Sequence, residues 1–205
     1  MKQINNYISE KLHISKKYVV KTCPKSKSEL MTLIEHAIEE EGKNPNLNFI
    51  DTSQITNMSG LFSHYCTEIE NPNISEWDVS NVADMSSMFH DCRKFEGKGL
   101  EKWDVSNVVD MSNMFLDCVK FNGDLSKWDV SNVENMQYMF NNCQEFEGKG
   151  IEKWDVRNVK NMNNMFEYCE LLNIDLETWK PRFDCDMFFM FRFCSNLTKP
   201  SWYAV

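Results

Sequence analysis

The stretch "KWDVSNVVDMSNMF" at residues 102–115 decides the fold, because its elements recur through most of the chain. Copies of its core, "WDVSNV" or "WDVRNV", lie at residues 77–82, 103–108, 128–133 and 154–159. A Met-Phe pair and a later Cys recur with the same step of 25 or 26 residues. This self-similarity predicts six tandem units over residues 46–198. They are preceded by a separate segment at residues 1–45 and followed by a C-terminal tail at residues 199–205.

Each unit contains an apolar pattern typical of a short amphipathic helix. In one copy the apolar residues lie at i, i+3, i+4 and i+7: Met111, Met114, Phe115 and Cys118. A residue suited to an N-cap precedes the first Met of every copy: Asn57, Asp84, Asp110, Asn135, Asn161 or Asp186. The side-chain oxygen of such a residue accepts a bond from an orphan backbone N–H. The preceding "WDVSNV" is too short for a helix and carries two Val, which predicts a short strand or extended bend.

A strand of a few residues and one short helix cannot bury their apolar faces alone, so stacked copies are expected. The predicted fold class is an α/β repeat solenoid of about six leucine-rich-repeat-like units, each a strand plus a short helix. A propeller built from Trp-Asp repeats is disfavoured, because a blade needs about 40–45 residues and four strands.

The segment at residues 1–45 is predicted to be a mainly helical cap, arranged helix-strand-helix. The apolar residues of its first helix are Ile4, Tyr7, Ile8 and Leu12. A short strand is expected at residues 18–20. Ser26 and Glu29 form a capping box before a second helix, whose apolar residues are Leu30, Leu33, Ile34, Ala37 and Ile38. This cap is expected to pack on the open end of the first unit.

The pattern "WDVSNVxDMSxMFxxCxxF" resembles the BspA-like leucine-rich repeat of bacterial surface proteins and mycoplasma lipoproteins. The resemblance covers about residues 45–198. It implies a solenoid fold and binding in place of catalysis, and it carries over no catalytic residue. Better-known members of that family are surface or secreted adhesins, so a surface or secreted adhesin is the alternative function.

Composition excludes several classes of function. The formal net charge of −9 argues against binding to a nucleic-acid backbone, which relies on clustered Lys and Arg. The sequence shows no signal peptide, no lipobox and no apolar run of about 18 residues, so cytoplasmic location without membrane insertion is expected. The four His share no helical face or repeat position: His13, His36, His64 and His90. No enzyme, metal site or cofactor is therefore predicted.

One Asp per unit follows the Trp position, and these residues are the candidate binding stripe. The acidic members proposed to bind a partner are Asp78, Asp104, Asp129 and Asp155. Stacked like charges raise one another's pKa unless something compensates. The favoured compensation is a local hydrogen bond from the Ser two residues on, as at Ser106 and Ser131. The alternative is an exposed stripe that awaits a cation or a protein partner with a basic surface.

Two further repeated positions have structural interpretations. The Asn of "SNV" is expected to satisfy backbone groups at the turn: Asn81, Asn107, Asn132 and Asn158. The repeat Cys could indicate a metal site or disulfides, but singletons one repeat apart do not have metal-ligand spacing, and a disulfide needs Cα atoms within about 7 Å and suitably aimed Cβ atoms. Each Cys ends an apolar stripe, where a small thiol packs well, so buried free thiols are expected. Cys23 and Cys185 stand outside that series and are predicted to be the more reactive thiols.

Positions that differ between copies are the better candidates for recognition. Tyr138 and Tyr168 are candidate anchors, because Tyr is favoured at interface hot spots. Arg157 replaces the Ser of the other copies and joins the candidate set. The predicted function is a non-catalytic interaction module that binds a protein partner inside the cell.

Overall fold

The computed structural model describes residues 21–203, so the predicted first helix and the strand at residues 18–20 lie outside the described residues. One α-helix occurs within that range, α1 at Lys27–Glu41. A 3₁₀ helix occupies Ser63–Tyr65 in the first unit. Everything else between residues 21 and 203 is built from turns, bends and irregular backbone.

The predicted α/β solenoid of strand-plus-helix units is wrong, because no unit in residues 21–203 contains the predicted strand or α-helix. Pairing there is limited to isolated parallel bridges, and no sheet forms. Five of these bridges join the predicted N-cap positions of consecutive units: Asn57–Asp84, Asp84–Asp110, Asp110–Asn135, Asn135–Asn161 and Asn161–Asp186. The copies are therefore stacked in register, but as layers of turns.

We call residues 111–118 and their counterparts in the other units the Met-Phe segment. Left-handed backbone conformations explain why this segment is not helical. In the copy at residues 111–118, Asn113 has a φ of 56° and Asp117 a φ of 62°. A right-handed helix cannot continue through a residue with positive φ. The same two positions are left-handed in the copies at residues 85–92, 136–143, 162–169 and 187–194. The apolar spacing survives, since Met111, Phe115 and Cys118 are fully buried.

The backbone N–H groups of this segment alternate between two kinds of acceptor. Asn113 and Phe115 donate to carbonyls of the following unit, at 2.8 Å to Gln137 and 2.9 Å to Met139. Cys118, by contrast, donates within its own turn to the Phe115 carbonyl at 3.0 Å. Each layer is thus bonded forward to the next at every second residue.

The core consists of aromatic columns that run from layer to layer. Phe115 packs between Phe89 and Phe140, with ring centroids 5.6 Å apart on both sides. Trp103 stacks on Trp77 at 6.5 Å, and Trp154 stacks on Trp128 at 6.4 Å. Each indole N–H also donates to a backbone carbonyl about one unit earlier, as from Trp103 to Ile74 at 3.2 Å. Because these rings are buried, such donors need that partner.

Helix α1 is the second helix predicted from the capping box, and it covers the first unit. The Ser26 hydroxyl accepts from the Glu29 N–H at 3.2 Å, while the Glu29 carboxylate accepts from Lys25 and not from Ser26. The predicted apolar face is buried at Leu30, Leu33, Ile34 and Ala37, and Ile38 is partly buried. Lys27 Nζ reaches the first unit, where it donates to the backbone carbonyl and the hydroxyl of Ser59. The helix ends at Gly42, which has a φ of 72°.

We expect Gly150→Ala to lower the free energy of unfolding by about 2–3 kcal/mol. Gly150 has a φ of 90°, and an added Cβ would lie 2.3 Å from the backbone nitrogen of Ser126. Gly42→Ala is the matched control, because its φ is also positive but no atom lies within 4 Å of the added Cβ. Urea denaturation measures both. Equal losses would contradict the close approach of the two layers at Gly150.

Candidate functional site

An Asp closes the turn after four of the Trp: Trp77, Trp103, Trp128 and Trp154. The Asp104 carboxylate accepts from the Ser106 N–H at 3.1 Å and from the Ser106 hydroxyl at 2.7 Å. The corresponding Asp in other units accepts from the N–H two residues on: Asp51, Asp78, Asp129 and Asp155. The local hydrogen bonds favoured from the sequence are therefore present.

At Asp51, Asp104 and Asp155 these hydrogen bonds stabilise the charged carboxylate. The pKa of Asp104 is lowered by the hydroxyl of Ser106 and then by its N–H. The pKa of Asp51 is lowered in the same way by Ser53. In the fourth copy Arg157 takes the place of Ser and lowers the pKa of Asp155, with its guanidinium Nε 2.8 Å from that carboxylate.

The repeated Asn link one unit to the next. The side-chain amide of Asn107 donates to the Ser80 carbonyl at 2.8 Å, and that of Asn132 donates to the Ser106 carbonyl at 2.7 Å. Asn81 and Asn158 make the equivalent bonds to Ser53 and Ser131. The predicted structural role of this Asn is confirmed.

The structure brings together part of the predicted binding set. Two positions of one turn, repeated along the stack, hold the Asp and the residue two places later: Asp78, Asp104, Asp129 and Asp155, then Ser106, Ser131 and Arg157. Tyr138 and Tyr168 lie on the Met-Phe segment, at its first and second left-handed positions respectively. The two Tyr are therefore outside the Asp turns and do not share a register position. A protein partner with a basic surface for the Asp turns stays a prediction.

Ser106→Ala is expected to raise the pKa of Asp104 toward its ordinary value of 3.8, because the hydroxyl is the largest cause of the lowering. A lowered pKa means that charged Asp104 stabilises the folded state above about pH 4, and that this contribution is lost as the pH falls through the folded value. Carboxyl NMR titration measures the pKa. Ser131→Ala is the control and should leave Asp104 unchanged; a Ser106→Ala pKa equal to wild type would contradict the assignment.

The repeat cysteines form a column along the stack. The first two of them differ from the sequence prediction, which expected free thiols. Cys66 and Cys92 form a disulfide, with Cα atoms 4.5 Å apart, so the expectation of free thiols at these two positions is wrong. The later thiols are free and buried, and each donates to the carbonyl of the Phe one unit earlier: Cys118, Cys143, Cys169 and Cys194. Cys66 belongs to the first unit, which has no preceding unit to supply such a carbonyl.

Of the two cysteines outside the column, Cys23 is exposed and Cys185 is buried. Burial raises the pKa of Cys185 to about 11. Since the thiolate is the reactive form, the prediction of a reactive Cys185 is wrong. The reactivity of Cys23 stays a prediction.

The last two units expose a cluster of large aromatic side chains. We call this cluster the aromatic end and define it as Tyr168, Phe188, Phe189, Arg192 and Phe193. Its aromatic members are 42%, 54%, 39% and 51% exposed. Tyr168 stacks on Phe193 at 4.5 Å, and Phe188 lies 3.8 Å from Phe189 between centroids.

Arg192 lies within this cluster. Its guanidinium carbon is 4.7 Å from the Phe189 ring and 4.6 Å from the Phe193 ring, in cation–π contact with both. One guanidinium nitrogen is 3.5 Å from the Glu167 carboxylate. The cluster therefore combines exposed rings with a fixed cation.

A comparison of the copies shows that the aromatic end could have been recognised from the sequence. The positions of Phe188-Phe189 hold Ser86-Ser87, Ser112-Asn113, Gln137-Tyr138 and Asn163-Asn164 in the other copies. Four consecutive layers thus have polar side chains or Tyr where the last has two Phe. The prediction found only Tyr168 of this cluster, because the other four members belong to the last, divergent copy.

Other kinds of site find little support among the described residues. No group of three His, Cys, Asp or Glu side chains in residues 21–203 is placed to hold a metal ion. An open depression lies at the turns between layers, lined by charged side chains that include Glu96, Lys120 and Glu145. No helix in the same range is both long and apolar enough to cross a bilayer.

Comparison with family models gives one match, to the family described as "Mycoplasma protein of unknown function, DUF285". The match covers residues 32–149 and, in an overlapping second alignment, residues 124–202. Searches of curated proteins and of solved structures give no match. The resemblance to BspA-like repeats is not tested by this result and stays a prediction.

Proposed function

This chain belongs to the DUF285 family of mycoplasma proteins, and from that premise we propose that it is a non-catalytic module that binds a protein partner through its last unit. The stacked layers supply a rigid support, and the aromatic end supplies the contact surface. We further propose that the module acts inside the cell. Its buried free thiols at Cys118, Cys143 and Cys169 support a reducing environment.

One observation carries the proposal: the last unit exposes Phe188, Phe189 and Phe193 at positions where the preceding units carry polar side chains or Tyr. Exposed apolar surface on a folded protein marks an interaction site when it forms a contiguous patch. Tyr, Phe and Arg are enriched at protein interfaces, and Tyr and Arg among their hot spots. Phe189 and Phe193, joined by Arg192, have that composition and are held in place by their cation–π contacts.

The test is an affinity purification from the cell that makes the protein, with wild type beside the double variant Phe189→Asn, Phe193→Asn. Both residues have positive φ, 57° and 61°, which Asn tolerates better than Phe. Other units already carry Asn in these positions, as at Asn113 and Asn142. The variant is therefore expected to fold at least as stably as wild type and to lose its partner.

Phe183→Asn is the matched control, because Phe183 is a fully exposed Phe outside the aromatic end. It should retain the partner. A double variant that retains the same partner at wild-type yield would overturn the proposal, whereas circular dichroism and thermal melting establish that the variant is folded.

A second candidate is binding at the cell surface or after secretion, as in adhesins, and the Cys66–Cys92 disulfide favours it. Disulfides persist in oxidising compartments and are rare in the cytosol. Cell fractionation followed by alkylation under denaturing conditions and mass spectrometry separates the two locations. Protein on the cell surface with Cys66 and Cys92 joined supports the second candidate; intracellular protein with both cysteines alkylated supports the first.

A further inference from the structure

The hydrogen bonds between layers have one direction in the Met-Phe segment. In the fifth unit, Asn164 donates to the carbonyl of Phe188 at 3.0 Å, and Tyr168 donates to that of Arg192 at 3.0 Å. Met162 and Phe166 donate in the same way to Asp186 and Met190. Along this edge each layer presents N–H groups to the layer after it and carbonyls to the layer before it.

The last unit carries the same row of donors. The tail continues the Trp column, with Trp202 stacked on Trp179 at 6.3 Å, but no further Met-Phe segment follows among residues 21–203. The positions are those of Met187, Phe189, Phe191 and Phe193. The Tyr203 ring packs edge-on against the Phe191 ring at 4.9 Å, and its hydroxyl donates to the Met187 carbonyl at 3.4 Å. The N–H groups of Met187, Phe189 and Phe193 find no acceptor among residues 21–203. These three donors lie beside the exposed rings of the aromatic end.

A second copy of the chain does not satisfy this edge. Two such edges placed together would bring donors against donors, because the carbonyls of Met187, Phe189 and Phe191 already accept from N–H groups within the last unit. The opposite end of the stack presents carbonyls, but α1 covers it. Lys27 of that helix already donates to the Ser59 carbonyl, which is the position that would meet a preceding layer.

The charge of the last unit differs from that of the rest of the chain. Between residues 180 and 203 there are four cationic side chains, Lys180, Arg182, Arg192 and Lys199, against two carboxylates, Asp184 and Asp186. The chain as a whole has a formal net charge of −9. A segment that binds this end is therefore favoured if it is acidic.

We propose that the last unit binds an acidic segment of a partner protein, which adds to the stack as a further layer. Backbone carbonyls of the segment accept from the N–H groups of Met187, Phe189 and Phe193. A carboxylate of the segment pairs with Arg192, and its apolar side chains cover the rings. This is strand addition of the kind by which extended peptides pair with exposed edges. The inference rests on the proposed function, since it uses the same aromatic end.

The experiment starts with short random peptides displayed on phage and selected against the wild-type chain. Enriched peptides are expected to be acidic and to bind the Phe189→Asn, Phe193→Asn variant at least about tenfold more weakly. The Phe183→Asn control should bind them as wild type does. An absence of enriched peptides, or a set that is neutral or basic, would overturn the inference.

Amide hydrogen exchange distinguishes backbone pairing from contact with the rings alone. With a selected acidic peptide bound, exchange at the Phe189 and Phe193 amides should slow by about tenfold or more, since both become hydrogen-bonded. Binding that leaves these two amides unprotected would refute the added layer but leave the aromatic end as a binding surface. This experiment therefore distinguishes failure of the added-layer inference from failure of the proposed function.

Sedimentation of the chain without peptide tests whether a second copy of the chain binds at the aromatic end. A monomer at the concentrations used for peptide binding is expected. A dimer that the Phe189→Asn, Phe193→Asn variant abolishes would identify a second copy as the occupant and overturn the inference.

Discussion

Phe115→Ala is expected to lower the free energy of unfolding by about 3–5 kcal/mol. Phe115 is fully buried, and its ring contacts Phe89, Phe121 and Phe140 at centroid distances of 5.6, 4.1 and 5.6 Å. Truncation removes the apolar burial and leaves a cavity between two layers whose spacing is fixed by backbone hydrogen bonds. Because these layers cannot close together, the cavity persists. Urea denaturation with two spectroscopic probes measures the loss.

Phe183→Ala is the control for that prediction. Phe183 is fully exposed, so its removal should change the free energy of unfolding by less than about 0.5 kcal/mol. If Phe115→Ala costs no more than Phe183→Ala, the continuous aromatic column is incorrect.

Loss of the Cys66–Cys92 disulfide is expected to cost about 3.5 kcal/mol, from the entropy of the chain that it closes. The two cysteines are 26 residues apart, which is one unit. The bond therefore fastens the first layer to the second. The double variant Cys66→Ala, Cys92→Ala and reduced wild type should lose similar stability, as measured by thermal and urea unfolding.

Two comparisons make the disulfide prediction decisive. Reductant should destabilise wild type but leave the double variant unchanged, since Cys118 and the later column thiols are already free. A wild type that is indifferent to reductant, or a peptide map that joins other cysteines, would show the pairing to be incorrect.

Much of the layer organisation could be predicted from the sequence. The period and the bond from the Asn107 amide to a backbone carbonyl both follow from which residue types recur and how far apart they lie. The local bond between Ser106 and Asp104 follows from a two-residue spacing. These features depend on side-chain chemistry, which a repeated sequence displays directly.

The backbone path of the Met-Phe segment could not be obtained from apolar spacing. Residues at i, i+3, i+4 and i+7 lie on one face of a helix, but a run of turns with two left-handed residues buries the same positions. A weaker signal was present in the polar positions. Asn113, Asp117 and Asn142 are of the types that tolerate positive φ, and they recur at the two left-handed positions.

The candidate site was harder to predict than the fold for a different reason. Phe188, Phe189 and Phe193 are apolar, and an apolar residue in a repeat is ordinarily assigned to the core. Their exposure is evident only in the structure, where no further Met-Phe segment among residues 21–203 covers them. The disulfide was missed because spacing by a whole unit says nothing about Cα separation until the layers are placed.

Because each layer is bonded only to its neighbours, the length of the stack is set by the number of units. Residues 95–107 and 146–158 are nearly identical and lie 51 residues, or two units, apart. Recombination between such segments would insert or delete one pair of units, and every new junction would repeat contacts that the protein already makes. Each inserted pair would move the aromatic end about 10 Å farther from α1, at about 4.8 Å per layer. Length polymorphism of this kind would change the reach of the module while both of its ends stay the same.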